Sequence, residues 1–162
     1  MENTGVRAIN VQLSDVLLYC VMPYIHQEDK DAVSRVCKEW YKKDSETRKH
    51  VTIAMSYSTT PTRLDQRFPS LQSLKLKGKP RASMYGFLPK NWGGSVTPWV
   101  EKMKVKDHFA SLNSLHLRRM EVKDDDLKIL ADFRSLTLYS LKLDVCTGFT
   151  TDGLKLICHS CK

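Results

Sequence analysis

The sequence predicts an α+β chain: a small N-terminal helical module, then stacked strand–turn–helix units. Three observations carry this. The pattern L-x-x-L-x-L occurs three times, at residues 71–76, 112–117 and 138–143. The tails of the last two copies match. Met120 and Cys146 each fall three residues past the final leucine, and an apolar helical stripe follows both (Leu127 and Leu130; Leu154, Ile157 and Cys161). Before residue 50 the apolar spacing is helical instead. Strand, turn and helix recurring at one period is the signature of a leucine-rich solenoid, in which each unit buries its apolar face on its neighbours.

Composition bounds the reading. A chain of 162 residues is enough for one ordinary domain or two small ones. The balance of 41% hydrophobic and 27% charged residues is that of a globular protein. No apolar run approaches the roughly 18 residues of a membrane span, and the N-terminus lacks a signal-peptide layout. An intracellular protein with reduced thiols and no membrane partner is expected. The five cysteines (Cys20, Cys37, Cys146, Cys158, Cys161) are odd in number and lack framework spacing. A net charge of +8 favours a polyanionic partner, without choosing between nucleic acid, a membrane surface and a phosphorylated small molecule.

Residues 1–12 read as a disordered tail. Ser14 is placed as an N-cap with Asp15 in the first turn. Leu13, Val16, Leu17, Cys20, Val21 and Tyr24 then follow an i, i+3, i+4 rhythm, giving a short amphipathic helix that ends near Pro23. After a polar link, Ala32, Val33, Val36, Cys37 and Trp40 fall on one face of a second helix, away from Lys38, Glu39, Lys42 and Lys43. Residues 45–50 make a third helical turn. A module of about 40 residues buries little by itself, so it is expected to dock on something.

These residues carry a resemblance. Leu13-x-x-Val16-Leu17, then Tyr24-Ile25, then residues 30–40 with the ending Val36-Cys37-Lys38-Glu39-Trp40, resemble an F-box. The family usually has Pro after the leading Leu, where Ser14 stands here. The resemblance implies a three-helix module over residues 13–50 that docks on the Skp-type adaptor of a cullin–RING ubiquitin ligase. Leu13, Val16, Leu17, Ile25, Val33, Val36, Cys37 and Trp40 would be its adaptor-binding residues.

Residues 51–162 are assigned to the repeats. Residues 51–55 alternate like a strand. Thr60-Pro61 opens a helix, with Pro at its first position and Leu64 and Phe68 on one face. From Leu115 to Leu141 is 26 residues, one ordinary repeat, but from Leu74 to Leu115 is 41. Thr97-Pro98 starts the helix of that long repeat, with Trp99, Val100 and Met103 as its stripe. An insertion therefore covers about residues 77–97. It carries Lys79 and Arg81, then Met84, Tyr85, Phe87 and Trp92, between glycines and prolines. Cations beside aromatics suit an anionic, partly apolar ligand; a solvated loop with a few anchors has the same composition. Long insertions on repeat scaffolds are usually functional.

Alternation assigns the faces. Leu74 and Leu76 point inward, so Lys75 and Lys77 face the open concave side. His116, Arg118 and Lys142 join them by the same count, and Arg119 begins the turn. Like charges in a concavity repel, so an anion there is stabilising, although a solvated face has the same charges. Cys158-His159-Ser160-Cys161 lacks two further ligands for a structural zinc, so no metal is expected. The last repeat lacks a polar cap, and the solenoid is expected to be truncated.

From Leu13 onward the chain resembles the plant coronatine-insensitive F-box proteins, the jasmonate receptors. The segments Lys77-Gly78-Lys79-Pro80-Arg81-Ala82, Asn91-Trp92-Gly93-Gly94, Thr97-Pro98-Trp99-Val100, Leu117-Arg118-Arg119-Met120 and Gly148-Phe149-Thr150-Thr151-Asp152-Gly153 carry it. The resemblance implies a non-catalytic substrate receptor. A jasmonoyl-amino acid hormone and a jasmonate ZIM-domain repressor would bind together on the solenoid, with an inositol polyphosphate beneath. By position, Arg81 with Ala82 beside it would take the hormone's carboxylate or keto oxygens. Met84, Tyr85 and Phe87 would form apolar wall. Tyr85 stands where Phe is common and Phe87 where an aliphatic residue is usual, which would narrow the pocket. Lys75, Lys77, Arg118 and Arg119 match the inositol-polyphosphate cradle. The implied location is the nucleus, with the cytoplasm beside it. No nucleophile triad, carboxylate pair or phosphate loop is present, so ubiquitin transfer would fall to partner subunits. Two other classes stand beside this reading: a decoy that binds only the adaptor, and a basic nucleic-acid-binding protein, which lacks an RNA-binding aromatic signature or helix-turn-helix pattern.

Overall fold

The computed structural model describes residues 13–89 and 92–160, with the backbone alone for Leu13 and Ser14. The expected tail over residues 1–12, Asn91 and Cys161 lie outside the described residues. The chain divides into two compact units, one ending at Thr47 and one starting at Arg48.

The first unit is wound from short helices. α1 (Leu13–Val16) runs directly into a π turn (Leu17–Val21) and a 3₁₀ turn (Met22–Tyr24). Pro23 has no N–H and its ring crowds the carbonyl four residues back, which an α-helix cannot accommodate. The Met22 N–H reaches back to the Leu17 carbonyl instead, a wider turn. Ser14 is an interior residue of α1, not its N-cap.

The single helix expected across residues 32–40 is two. α2 (Lys30–Val33) stops and α3 (Lys38–Thr47) begins after a link. The N–H groups of Arg35 and Val36 bond three residues back, to Ala32 and Val33, and the Ser34 Oγ and Arg35 Nε both donate to the Asp31 carbonyl. Side chains that compete for a helix's last carbonyls end it. β-branched Val33 and Val36 gain little from continuing it. The Cys37 carbonyl then accepts the Tyr41 N–H and opens α3. The third helical turn expected at residues 45–50 is the end of α3, and His50 already belongs to a strand.

In the second unit, β1 (His50–Ile53), β2 (Ser73–Lys77), β3 (Ser114–Arg118) and β4 (Ser140–Asp144) form one parallel sheet in chain order. α4 (Pro61–Arg67), α5 (Thr97–Met103) and α6 (Asp124–Arg134) are the crossovers that parallel pairing requires, and α7 (Thr151–Ser160) follows β4. The register stacks Val51, Leu74, Leu115 and Leu141 in one row and Ile53, Leu76, Leu117 and Leu143 in the next. Leu74, Leu76, Leu115 and Leu117 are wholly buried, each contributing about 1.5–3 kcal/mol of transfer free energy. Leu64, Phe68, Trp99, Val100, Met103, Leu127, Leu130 and Ile157 close the core from the helices. Thr60 caps α4 by accepting the Arg63 N–H. The α+β repeat architecture is the expected one.

Polar ties link successive units on the helical side. Asp65 of α4 accepts from the Phe109 N–H at 2.7 Å and holds His108 Nδ1 at 2.5 Å. Asp124 accepts both the backbone N–H and the hydroxyl of Thr150, and these bonds hold its carboxyl below the usual carboxylate range. Gly153 leaves room for this contact, because a Cβ there would stand 2.2 Å from Asp124 Oδ1 and displace the carboxylate. On the outer side of β4, Leu141 and Leu143 are only half-buried. With Leu138, Tyr139, Leu154, Ile157 and Cys158 they line an open apolar cleft of about 400 Å³.

Candidate functional site

The register builds a cationic face on the side of the sheet opposite the leucines. Lys75, His116 and Lys142 stand in one row, and Lys77, Arg118 and Asp144 in the next. Neighbouring strands lie about 4.8 Å apart, so these groups act on one another directly. His116 shows the effect. Burial lowers its pKa, Lys75 and Lys142 lower it further, and Asp144 pulls it partly back. The imidazole is therefore neutral at neutral pH.

Asp144 is the residue that sequence reasoning missed, although the alternation that marks Lys142 marks it two positions on. Its Oδ2 lies 3.2 Å from Arg118 Nε and 3.7 Å from His116 Nε2. These are ion-pair contacts without hydrogen-bond alignment, and both nitrogens are buried with no aligned partner.

Arg119 follows a different path. Its backbone is left-handed, at φ 52°, which turns the chain at the end of β3. Its N–H donates to the Asp144 carbonyl at 2.9 Å, and its Nε donates to the Lys79 carbonyl at 2.8 Å. The structure thus places Arg119 with the inserted loop, beside the face that holds Lys75, Lys77 and Arg118.

The insertion is held at both ends by the same short rim segment. On the way out, the Gly78 and Lys79 N–H groups donate to the Arg118 and Arg119 carbonyls, each at 2.9 Å. On the return, the Glu121 N–H donates to the Gly94 carbonyl at 2.7 Å and the Val96 N–H to the Glu121 carbonyl at 3.0 Å. The first crossing needs Gly78, since a Cβ would come within 2.5 Å of the Arg119 carbonyl oxygen. Trp92 anchors the return against Tyr57, with ring centroids 4.9 Å apart.

Between these anchors, Arg81–Tyr85 forms a 3₁₀ turn closed by left-handed Gly86. Arg81, Ala82, Met84, Tyr85 and Phe87 are all exposed, and the Tyr85 and Phe87 rings lie 6.4 Å apart. A cleft of about 170 Å³ runs between loop and rim, lined by Lys79, Ser83 and Met84 on one side and Arg119, Met120, Glu121, Val145 and Thr147 on the other. Of the five hormone candidates, it brings only Met84 to its wall. Its volume is below the roughly 300 Å³ at which small-molecule pockets begin.

Of the adaptor-facing candidates, Val16, Val36 and Cys37 are exposed, Ile25, Val33 and Trp40 are half-buried, and Leu17 is buried. The Leu13 side chain is outside the described residues. Among the described residues no cluster of His, Cys, Asp or Glu is placed to hold a metal ion, and no helix is long and apolar enough to cross a membrane.

Residues 10–50 match the F-box family, and residues 69–117 match the Transport inhibitor response 1 protein domain. A helical module with the first match, followed by a repeat sheet whose β2 lies within the second, defines an F-box protein with leucine-rich repeats. Within that class the sequence is similar to the coronatine-insensitive proteins. It is 50% identical to coronatine-insensitive protein homolog 2 of Oryza sativa subsp. japonica over 157 residues, 96% of this chain and 26% of that protein. It is 53% identical to coronatine-insensitive protein 1 of Arabidopsis thaliana over 149 residues, 91% of this chain and 25% of that protein. GRR1-like protein 1 of Arabidopsis thaliana is 40% identical over 136 residues, 83% of this chain and 23% of that protein. The chain thus spans about a quarter of the length of the curated relatives it matches.

Proposed function

We propose that this chain is the adaptor-docking and ligand-cradling portion of a substrate receptor in a cullin–RING ubiquitin ligase of the SCF type, working in jasmonate signalling. The observation that carries the reading is sequence identity of about 50%, spread over both units, to proteins named for insensitivity to coronatine. The exposed Val16, Val36 and Cys37 supply an apolar surface for a Skp-type adaptor. The cationic rows of Lys75, Lys77, His116, Arg118 and Lys142 suit an inositol polyphosphate, with Arg119 reaching it from the rim. The inserted loop supplies one wall for a jasmonoyl-amino acid hormone: Arg81 for its anionic end, and Met84, Tyr85 and Phe87 for its apolar part. A jasmonate ZIM-domain repressor would be recruited over that wall, and the site of action is the nucleus.

The test is capture by a purified Skp-type adaptor. The wild-type chain is retained and Val36→Asp is not; a folded wild-type chain that passes through unretained overturns the reading. Coronatine-dependent capture of a repressor, by this stretch joined to a relative's later repeats, tests the hormone step separately.

A further inference from the structure

The cationic face contains one carboxylate among its described strand positions, and we propose that Asp144 is its built-in counterion: it steadies Arg118 and His116 while the face is empty and opposes any anion that binds, so it sets the limit on affinity. The proposal rests on the polyanion reading of the same face. Cations surround Asp144 on that face: Lys75 and Lys77 on β2, Arg118 on β3 and Lys142 on its own strand, with the neutral His116 among them. Asp144 sits directly across from Arg118 in the ladder, with His116 on the diagonal.

The geometry is that of a holding contact. Oδ2 is 3.2 Å from Arg118 Nε, yet neither that nitrogen nor His116 Nε2 makes an aligned hydrogen bond. Two nitrogens on the face are therefore desolvated without an aligned partner: Arg118 Nε, a donor neutralised in charge, and His116 Nε2, which donates when it carries the ring proton. Phosphate oxygens satisfy them better than this carboxylate does, because charge-assisted bonds need alignment as well as proximity. The Asp144 backbone stays in place when that happens, because its carbonyl is bonded to the Arg119 N–H, and only the side chain can turn. A polyanion lying over Arg118 therefore meets a negative charge a few ångströms away, on a partly exposed face where salt screens the repulsion. An ordinary structural ion pair differs on this point: losing it would weaken the fold and leave anion affinity unchanged or lower.

The experiment uses the full 162-residue chain and Asp144→Asn, with Asp144→Ser as a second neutral variant should the first fold poorly. Without ligand, the neutral variant melts lower at low ionic strength, and the His116 imidazole, followed by NMR, titrates at lower pH because its one raising group is gone. With inositol hexakisphosphate as the probe, calorimetry finds binding at least about tenfold tighter than wild type, and the gap narrows as salt rises. Equal or weaker binding by both neutral variants overturns the proposal. A wild-type chain that binds neither inositol hexakisphosphate nor sulfate removes the polyanion reading instead. In that case the ligand-free titration decides the counterion role: a His116 midpoint that does not move on neutralising Asp144 overturns it, and a downward shift upholds it.

Discussion

Arg134, at the end of α6, donates its Nε to the carbonyl of Met103, the last residue of α5, at 2.8 Å. The same guanidinium reaches the carbonyls of Val105, His108 and Phe109. The last carbonyls of a helix have no partner within it. Here one buried side chain from the next repeat supplies a partner to that of Met103 and reaches three carbonyls of the segment that follows. Arg134→Met keeps the side-chain bulk and takes this donor from the Met103 and His108 carbonyls, while Val105 and Phe109 still accept from the His108 and Leu112 N–H groups. A loss of about 2–4 kcal/mol is expected, read as a lower midpoint in urea. A midpoint within error of wild type would show that the segment after α5 holds itself.

Val36 is 64% exposed in the link between α2 and α3, so its replacement by Asp leaves the fold nearly untouched, within about 0.5 kcal/mol. Adaptor capture is expected to fall below detection all the same, because a charge replaces an apolar contact at an interface. Thermal melting and pull-down on the same sample separate the two effects. Retained capture would move the docking surface elsewhere.

His116 makes stability depend on pH with a definite sign. Its folded pKa lies below the ordinary 6.5, so the unfolded chain takes up a proton first as pH falls. Its contribution is intact above about 6.5 and is lost as pH drops through the folded value. Comparing wild type with His116→Gln at pH 7.5 and pH 5.5 isolates this from the carboxylates. Wild type should lose more stability over that interval than the variant. Anion binding should move the other way, tightening as the imidazole gains charge.

Arg118→Glu places a second carboxylate beside Asp144 on the face that Lys75 and Lys77 share. Affinity for inositol hexakisphosphate should fall at least tenfold, and the remaining binding should lose much of its salt dependence. Calorimetry at two salt concentrations is the measurement. An unchanged affinity places the cradle elsewhere.

The loop cleft of about 170 Å³ does not enclose a hormone conjugate, and Arg81, Tyr85 and Phe87 stand outside it. Residues 1–162 are therefore expected to show no measurable binding of a jasmonoyl conjugate, even with adaptor present. Joined to a relative's later repeats, the segment should bind, and Arg81→Ala should remove much of that affinity. Tight binding by the 162 residues themselves would mean that the loop closes into a complete pocket.

The parts of this structure visible in the sequence are those governed by one period. Leu74, Leu115 and Leu141 sit in one row because the repeat is regular, and the same alternation turned Lys75, His116 and Lys142 outward together. The insertion showed itself as a spacing too long for its repeat. What stayed hidden depends on hydrogen bonds between particular groups. No apolar pattern reveals that Ser34 and Arg35 take the Asp31 carbonyl and end α2, and the spacing of Val33, Val36 and Trp40 continues a helix straight through. Arg134 is a basic residue in the last turn of α6, with nothing in the apolar pattern to mark it. Its carbonyl partners come from the segment after α5, which has no periodic mark. Asp144 lies on the cationic face by the same alternation, but a lone carboxylate at a strand end carries no mark of its partners.

The inserted segment leaves and returns within the few residues between Arg118 and Glu121. Its tip is thereby mechanically insulated from the sheet. Closing a flexible loop costs only about 0.6 kcal/mol more for each doubling of its length, so residues added around Gly86 would scarcely register in the stability of the repeats. The tip is a region whose length and chemistry are open to change while the scaffold keeps its register. A laboratory seeking a different ligand could rewrite residues 81–89 wholesale, provided Gly78 and the rim bonds of Gly94 and Val96 are left alone.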